Sequence, residues 1–332
     1  MNPQGYETLP GTDKAYRDRS LGLVVFGVIE ILIGVFCALL VPMSLLAWWV
    51  SRGQAGGPTT LRSILPLVVI YLIMAVLFIW LGVGSIRARR WARDLMLAIS
   101  RIWLVTGVCT FLMTWLVLPG LLRGGGAAEG LPSEVLFVVI GVTLAIVSLI
   151  YVLLPGAFVL FYRSPDVMAT CRARDPRPQF TDDCPPRVLT LSVVWGMAAI
   201  SVVAMPAYDW AFPFFGRLLL GAAGAVPWIA VLVACAALAR GSCRRRPWAW
   251  WGAVAATAAA AVTTVVTSIR VSPEAMVRAL PIADDQMQIL ASISWPGVWV
   301  ISLVWIVVWA SMFIYLFTMR SFFRPRPPLV ND

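Results

Sequence analysis

The chain has 332 residues, 60% of them hydrophobic and 13% charged, with a formal net charge of +10 and a mean hydropathy of +0.86. Soluble domains run at about 25% charged and 45–50% apolar, so this composition excludes soluble, disordered and disulfide-framework classes and predicts an all-α polytopic transmembrane bundle. Histidine is absent, which removes His-activated nucleophiles and His-ligated zinc. No catalytic residue, metal or cofactor is therefore assigned.

Residues 1–20 form a polar segment. The apolar run after it is too long for a signal-peptide core and lacks a small-residue cleavage site, so it reads as a retained first span. A bilayer core about 30 Å thick needs about 20 apolar residues per helix. Eight runs qualify, near residues 22–46, 65–84, 95–118, 135–161, 188–207, 217–239, 248–269 and 295–319. Pro42, Pro155 and Pro227 mark expected bends in the first, fourth and sixth.

The Lys and Arg distribution sets an orientation. Nineteen basic residues fall at the two ends and in the 2–3, 4–5 and 6–7 loops, against six on the other side, with Arg101 inside a span. Both termini are thus expected in the cytoplasm. The basic residues lie in short runs between spans, so they read as membrane topology and as a surface for anionic lipid headgroups, not as a nucleic-acid site. A protein partner is a further expectation of these loops. Twenty-five arginines to one lysine, together with many alanines, suggest a GC-rich bacterial genome and a plasma (inner) membrane.

Residues 84–92 (Gly-Ser-Ile-Arg-Ala-Arg-Arg-Trp-Ala) match residues 241–249 (Gly-Ser-Cys-Arg-Arg-Arg-Pro-Trp-Ala) at six of nine positions, at an offset of 157. Arg87, Arg89 and Trp91 thereby pair with Arg244, Arg246 and Trp248. Arg163-Ser164 pairs with Arg320-Ser321 at the same offset. The pattern predicts two parallel four-span repeats, residues 21–164 and 188–321, joined by a cytoplasmic linker, 165–187, and followed by a tail, 322–332. Shared chemistry at any cytoplasmic interface, which favours Arg and Trp, is the alternative origin of the match.

Glu30 and Arg101 are the charges deepest in spans, about 14 Å and 10 Å from the cytoplasmic ends at about 1.5 Å per residue. An intramembrane charge costs about 2.5–3.5 kcal/mol and is commonly relieved by pairing. A Glu30–Arg101 pair could line a pathway or simply brace the bundle, and Arg101 could instead snorkel to the headgroups.

In the linker, Ser164-Pro165-Asp166 predicts the start of a short surface helix that Asp175-Pro176 ends. Cys171, Cys184 and Cys243 form a candidate cytoplasmic thiol site, although no CxxC spacing supports a metal. The seventh span carries Gly252, Ala256 and Ala260 at four-residue spacing, a pattern for close helix packing. Ser272-Pro273-Glu274 predicts a short interfacial helix. Two functions remain: a transporter-like protein with a site between two four-helix halves, or a non-catalytic scaffold or partner subunit that binds protein or lipid through its cytoplasmic loops.

Overall fold

The computed structural model describes residues 6–8, 15–51, 61–124, 133–177, 179, 181, 184–271 and 298–323. The chain divides into two compact units, residues 1–182 with 283–294, and residues 183–282 with 295–332.

The first unit opens with an antiparallel hairpin of β1 (Tyr6–Thr8) and β2 (Ala15–Arg17). There follow α1 (Ser20–Ser51), α2 (Leu61–Ile86), α3 (Arg90–Gly124), α4 (Ser133–Ser148), α5 (Leu154–Arg163) and α6 (Pro165–Arg174). The tightest pairing joins α1 to α2 and rests on glycine. A Cβ on Gly27 would lie 2.8 Å from the Gly82 carbonyl oxygen, and one on Gly82 would lie 2.6 Å from that of Gly27. Small residues let two backbones touch, which replaces the hydrophobic drive that lipid cannot supply.

Between α4 and α5 the chain widens into a π-helical turn, Leu149–Leu153, in which the Leu154 N–H reaches back to the Leu149 carbonyl. The cause is Pro155, which has no N–H to offer the Tyr151 carbonyl four residues earlier. Gly107 of α3 packs directly on that carbonyl. The expected proline bend thus takes the form of one extra residue in a turn. Pro42 and Pro227, by contrast, lie inside continuous helices.

The second unit comprises α7 (Pro186–Ser201), a 3-10 turn (Val202–Tyr208), a hairpin of β3 (Phe212–Phe214) and β4 (Arg217–Leu219), α8 (Gly221–Cys243), α9 (Pro247–Arg270) and α10 (Val298–Thr318). Positive φ at Phe215 (45°) and Gly216 (86°) gives β3–β4 the two-residue turn that matches strand twist. The sixth span accordingly starts at Gly221, not at residue 217. A glycine and a hairpin close the preceding turn before the helix begins.

Among the described residues, seven helices are long and apolar enough to cross a membrane. The eighth expected span falls on α10, whose described apolar stretch, Trp305–Thr318, is shorter than a crossing. The interfacial helix expected from Ser272 lies outside the described residues. On α9 the fully buried residues are Ala249, Trp250, Ala253, Thr257 and Thr267, while the expected Gly252 is half-buried and packs on α8, where a Cβ would lie 2.8 Å from Leu238 Cδ2. The small residues run all round this helix, so their spacing could not select the packed face.

Candidate functional site

Glu30 sits on α1 with none of its surface exposed. Its Oε1 lies 2.6 Å from the Tyr162 hydroxyl on α5, and the Ser85 hydroxyl on α2 donates to its Oε2 at 3.0 Å. The Tyr162 and Ser85 oxygens are themselves 2.9 Å apart. Three helices therefore meet at one triangle of oxygens. Stacked rings wall it in: Phe26 lies 4.1 Å from Phe161, and Phe158 lies parallel to Tyr162 at 6.2 Å.

Arg101 lies half-buried on α3, two turns beyond Arg93. The groups that hold the Glu30 carboxyl are thus a tyrosine and a serine. Sequence reasoning singled out neither of them for this role. Ser85 was visible only as part of the repeated motif.

The end of this unit that carries β2, α6 and the start of α3 is tied by ionic contacts. Asp175, just past α6, keeps its side chain 2% exposed. Its Oδ1 accepts from Arg89 Nη1 at 3.1 Å, and its Oδ2 accepts from Gln179 at 3.2 Å and from the Arg90 N–H at 3.4 Å. The carboxylate thus sits on the first N–H of α3, where the helix dipole favours negative charge. Arg93 Nε donates to the Tyr162 carbonyl at 3.0 Å, and its Nη1 pairs with Asp94 at 2.7 Å.

At the other edge Arg174 pairs with Asp18 at 3.0 Å, and the Arg19 N–H donates to Thr170 Oγ1 at 3.1 Å. Burial pushes the Asp18 carboxyl up. The Ser20 hydroxyl and N–H and the Arg174 guanidinium outweigh that and hold it below its ordinary value.

The linker helix α6 forms where the sequence placed it, between Ser164 and Asp175. One face of it is turned to the protein. Val167, Ala169, Thr170 and Cys171 are buried, and α6 packs on α1, α3, α5 and β2. The polar Thr170 and the flanking ion pairs hold it to the protein, and a reading of apolar periodicity alone could not see those partners.

The repeated motif folds twice into the same turn. At the end of α2 the Ala88 N–H donates to the Ser85 carbonyl at 2.9 Å and the Arg89 N–H to the Gly84 carbonyl at 2.9 Å, with Ala88 at φ 53°. At the end of α8 the Arg245 N–H donates to Ser242 at 2.8 Å and the Arg246 N–H to Gly241 at 3.0 Å, with Arg245 at φ 52°. This is the helix stop in which a left-handed residue lets two N–H groups fold back onto the last carbonyls.

Trp91 and Trp248 then cover Gly84 and Gly241, where a Cβ would meet either ring within 2.9 Å. Arg87, Arg244 and Arg246 point to solvent, Arg89 holds Asp175, and Trp248 is exposed while Trp91 stacks on Trp80 at 4.1 Å. One position after Ala92 and Ala249 the echo continues. Arg93 and Trp250 each donate a side-chain N–H to a carbonyl near a helix end, that of Tyr162 on α5 and that of Leu316 on α10 respectively.

The Glu30 triangle itself is not repeated. At the offset of 157, Ser85 maps to Ser242 and Tyr162 to Met319. Ser242 is fully buried, and its hydroxyl has no hydrogen-bond partner among the described residues.

Cys171 belongs to the first unit, and Cys184 and Cys243 belong to the second. Cys171 and Cys184 are buried, Cys243 is half-buried, and none of the three is in a disulfide. Burial, the largest influence, pushes the Cys171 thiol up to about 12, so it carries no thiolate at neutral pH. Among the described residues no three Cys, Asp or Glu side chains converge on a metal-holding point. No protein family model, curated protein or solved structure matches the chain.

Proposed function

We propose that this multi-pass membrane protein is a non-catalytic scaffold or partner subunit, built from two copies of a four-helix unit and presenting basic cytoplasmic faces to a protein or to anionic lipid. In this reading α10 is the eighth span, both termini are cytoplasmic, and the membrane is a bacterial plasma membrane. The observation that carries the reading is the enclosure of Glu30. The acid that would suit a transport pathway is instead spent on joining three helices. Arg87, Arg163, Arg172 and Arg177 of the first unit and Arg244, Arg246 and Arg320 of the second stay exposed and available. Each such residue is worth about 1 kcal/mol beside an anionic leaflet.

The duplication is supported by the paired turns at the ends of α2 and α8. The same hydrogen bonds, the same left-handed position and the same Trp-on-Gly packing recur at one offset. The test is affinity purification of the full chain in lipid nanodiscs, with mass spectrometry of bound protein and lipid. A stoichiometric protein partner or selective enrichment of anionic lipid, lost when Arg244 and Arg246 are replaced by Gln, supports the proposal. Solute or proton flux across proteoliposomes holding this chain alone overturns it. Such flux would favour the transporter-like reading, in which Glu30 and Arg101 line a cytoplasmic gate. That reading draws on the half-buried charge of Arg101 within α3.

A further inference from the structure

A count of hydrogens at the Glu30 triangle shows which form of the carboxyl fits it. Three oxygen–oxygen contacts, at 2.6, 2.9 and 3.0 Å, join Glu30, Tyr162 and Ser85. All three are hydrogen-bond distances. Each hydroxyl carries one hydrogen, so an ionised carboxylate leaves two hydrogens for three contacts and sets two lone pairs against each other across one of them. A carboxylic acid supplies the third hydrogen. Glu30 Oε1–H then donates to Tyr162, Tyr162 donates to Ser85, and Ser85 donates to Glu30 Oε2, so that each of the three side chains donates once and accepts once. Such closed rings polarise each member and favour a fully satisfied network over a partial one.

The surroundings point the same way. Glu30 and Tyr162 are 0% exposed and Ser85 is 1% exposed. The only partners of the carboxyl among the described residues are the two hydroxyls. The charged and titratable groups of the neighbouring elements have other engagements. On α3, Arg93 holds the Tyr162 carbonyl and Asp94, and Arg101 lies half-buried. Arg163 follows Tyr162 on α5 and is exposed, and Cys171 of α6 is a buried neutral thiol. Just before α1, Asp18 and Arg19 are paired to Arg174 and Asp166. An unpaired ionised carboxylate in such a place would cost several kcal/mol.

We infer that Glu30 is a proton-binding site: a carboxylic acid whose hydrogen closes the Glu30–Tyr162–Ser85 ring and pins α5 to α1 and α2. The inference does not depend on the scaffold reading, since a transporter or a scaffold could each hold this proton.

The test is infrared spectroscopy of the full chain in nanodiscs at neutral pH. The chain has five glutamates, so carboxyl-13C glutamate labelling separates them from the eleven aspartates. A protonated-acid carbonyl band that moves with glutamate labelling, shifts in D2O, and disappears in Glu30→Gln establishes the site. Tyr162→Phe should keep the band but move it, because the acid loses its acceptor. Labelled wild-type protein that shows only carboxylate bands overturns the inference, and so does an acid band that persists in Glu30→Gln. The label works on the unmodified sequence, so the result stands even if a variant fails to fold. Glu30→Gln is nonetheless expected to fold like the wild type, since its amide N–H can replace the acid hydrogen toward Tyr162.

Discussion

Gly27→Ala should destabilise the chain although alanine is the better helix former. Outside any contact, replacing a helical glycine by alanine stabilises by about 0.5–1 kcal/mol, because glycine loses more freedom on folding. At Gly27 the added Cβ would lie 2.8 Å from the Gly82 carbonyl oxygen, 2.7 Å from Ile86 Cγ1 and 3.1 Å from the Ile86 N. The isoleucine can turn away, whereas the carbonyl and the N–H belong to the backbone of α2 and cannot. The two helices must then separate by several tenths of an ångström, and overpacking of this kind costs about 1–3 kcal/mol.

The net effect expected at Gly27 is a loss of about 0.5–2 kcal/mol after the propensity gain is subtracted. Gly141 of α4 is the control, because a Cβ there meets nothing within 4 Å, so Gly141→Ala should gain stability. The assay is thermal unfolding in detergent, followed with a dye that fluoresces on reaction with the chain's own buried thiols and checked by heat-induced loss of the monodisperse peak. The order expected is Gly141→Ala above wild type above Gly27→Ala. A Gly27→Ala protein as stable as Gly141→Ala would refute backbone contact as the basis of the α1–α2 pairing.

Two further outcomes follow from the α6 end of the first unit. Asp175→Ala removes the carboxylate that holds the Arg90 N–H and Gln179, and loss of a buried hydrogen-bonded acceptor costs about 1–3 kcal/mol. The pair with Arg89, which is 40% exposed, adds little once solvent screens it. Limited trypsin digestion should then cut after Arg172 and Arg174 faster than in the wild type, and unchanged digestion would show that Asp175 does not hold the linker. Maleimide at pH 7 should modify half-buried Cys243 well before Cys171, whose thiol is buried and pushed up to about 12. Equal rates at the two positions, read by peptide mass spectrometry, would contradict the packing of α6.

Several of these features were legible in the sequence because they depend on what a residue is rather than on what it meets. Hydropathy runs of about 20 residues fixed the membrane class, and seven of them appear as helices of crossing length. The Ser-Pro-Asp start and the Asp-Pro stop framed α6 within a residue, since capping chemistry is local. The Gly-Ser motif at an offset of 157 located two turns that fold alike, because a left-handed stop and a Trp-covered glycine are short-range devices.

What meets across the bundle was a different matter. Tyr162 stands 132 residues from Glu30 and Ser85 stands 55 residues from it, and no spacing rule links positions so far apart. Asp175 read as a helix breaker, and only the fold brings it onto the start of α3. Alanine all round α9 left its buried face undetermined, and apolar periodicity gave no sign of the protein partners on one face of α6. Solvent preference acts on each residue by itself, so it can be read along a chain. Hydrogen-bond partners and backbone contacts exist only once helices are side by side, and those the tertiary structure alone decided.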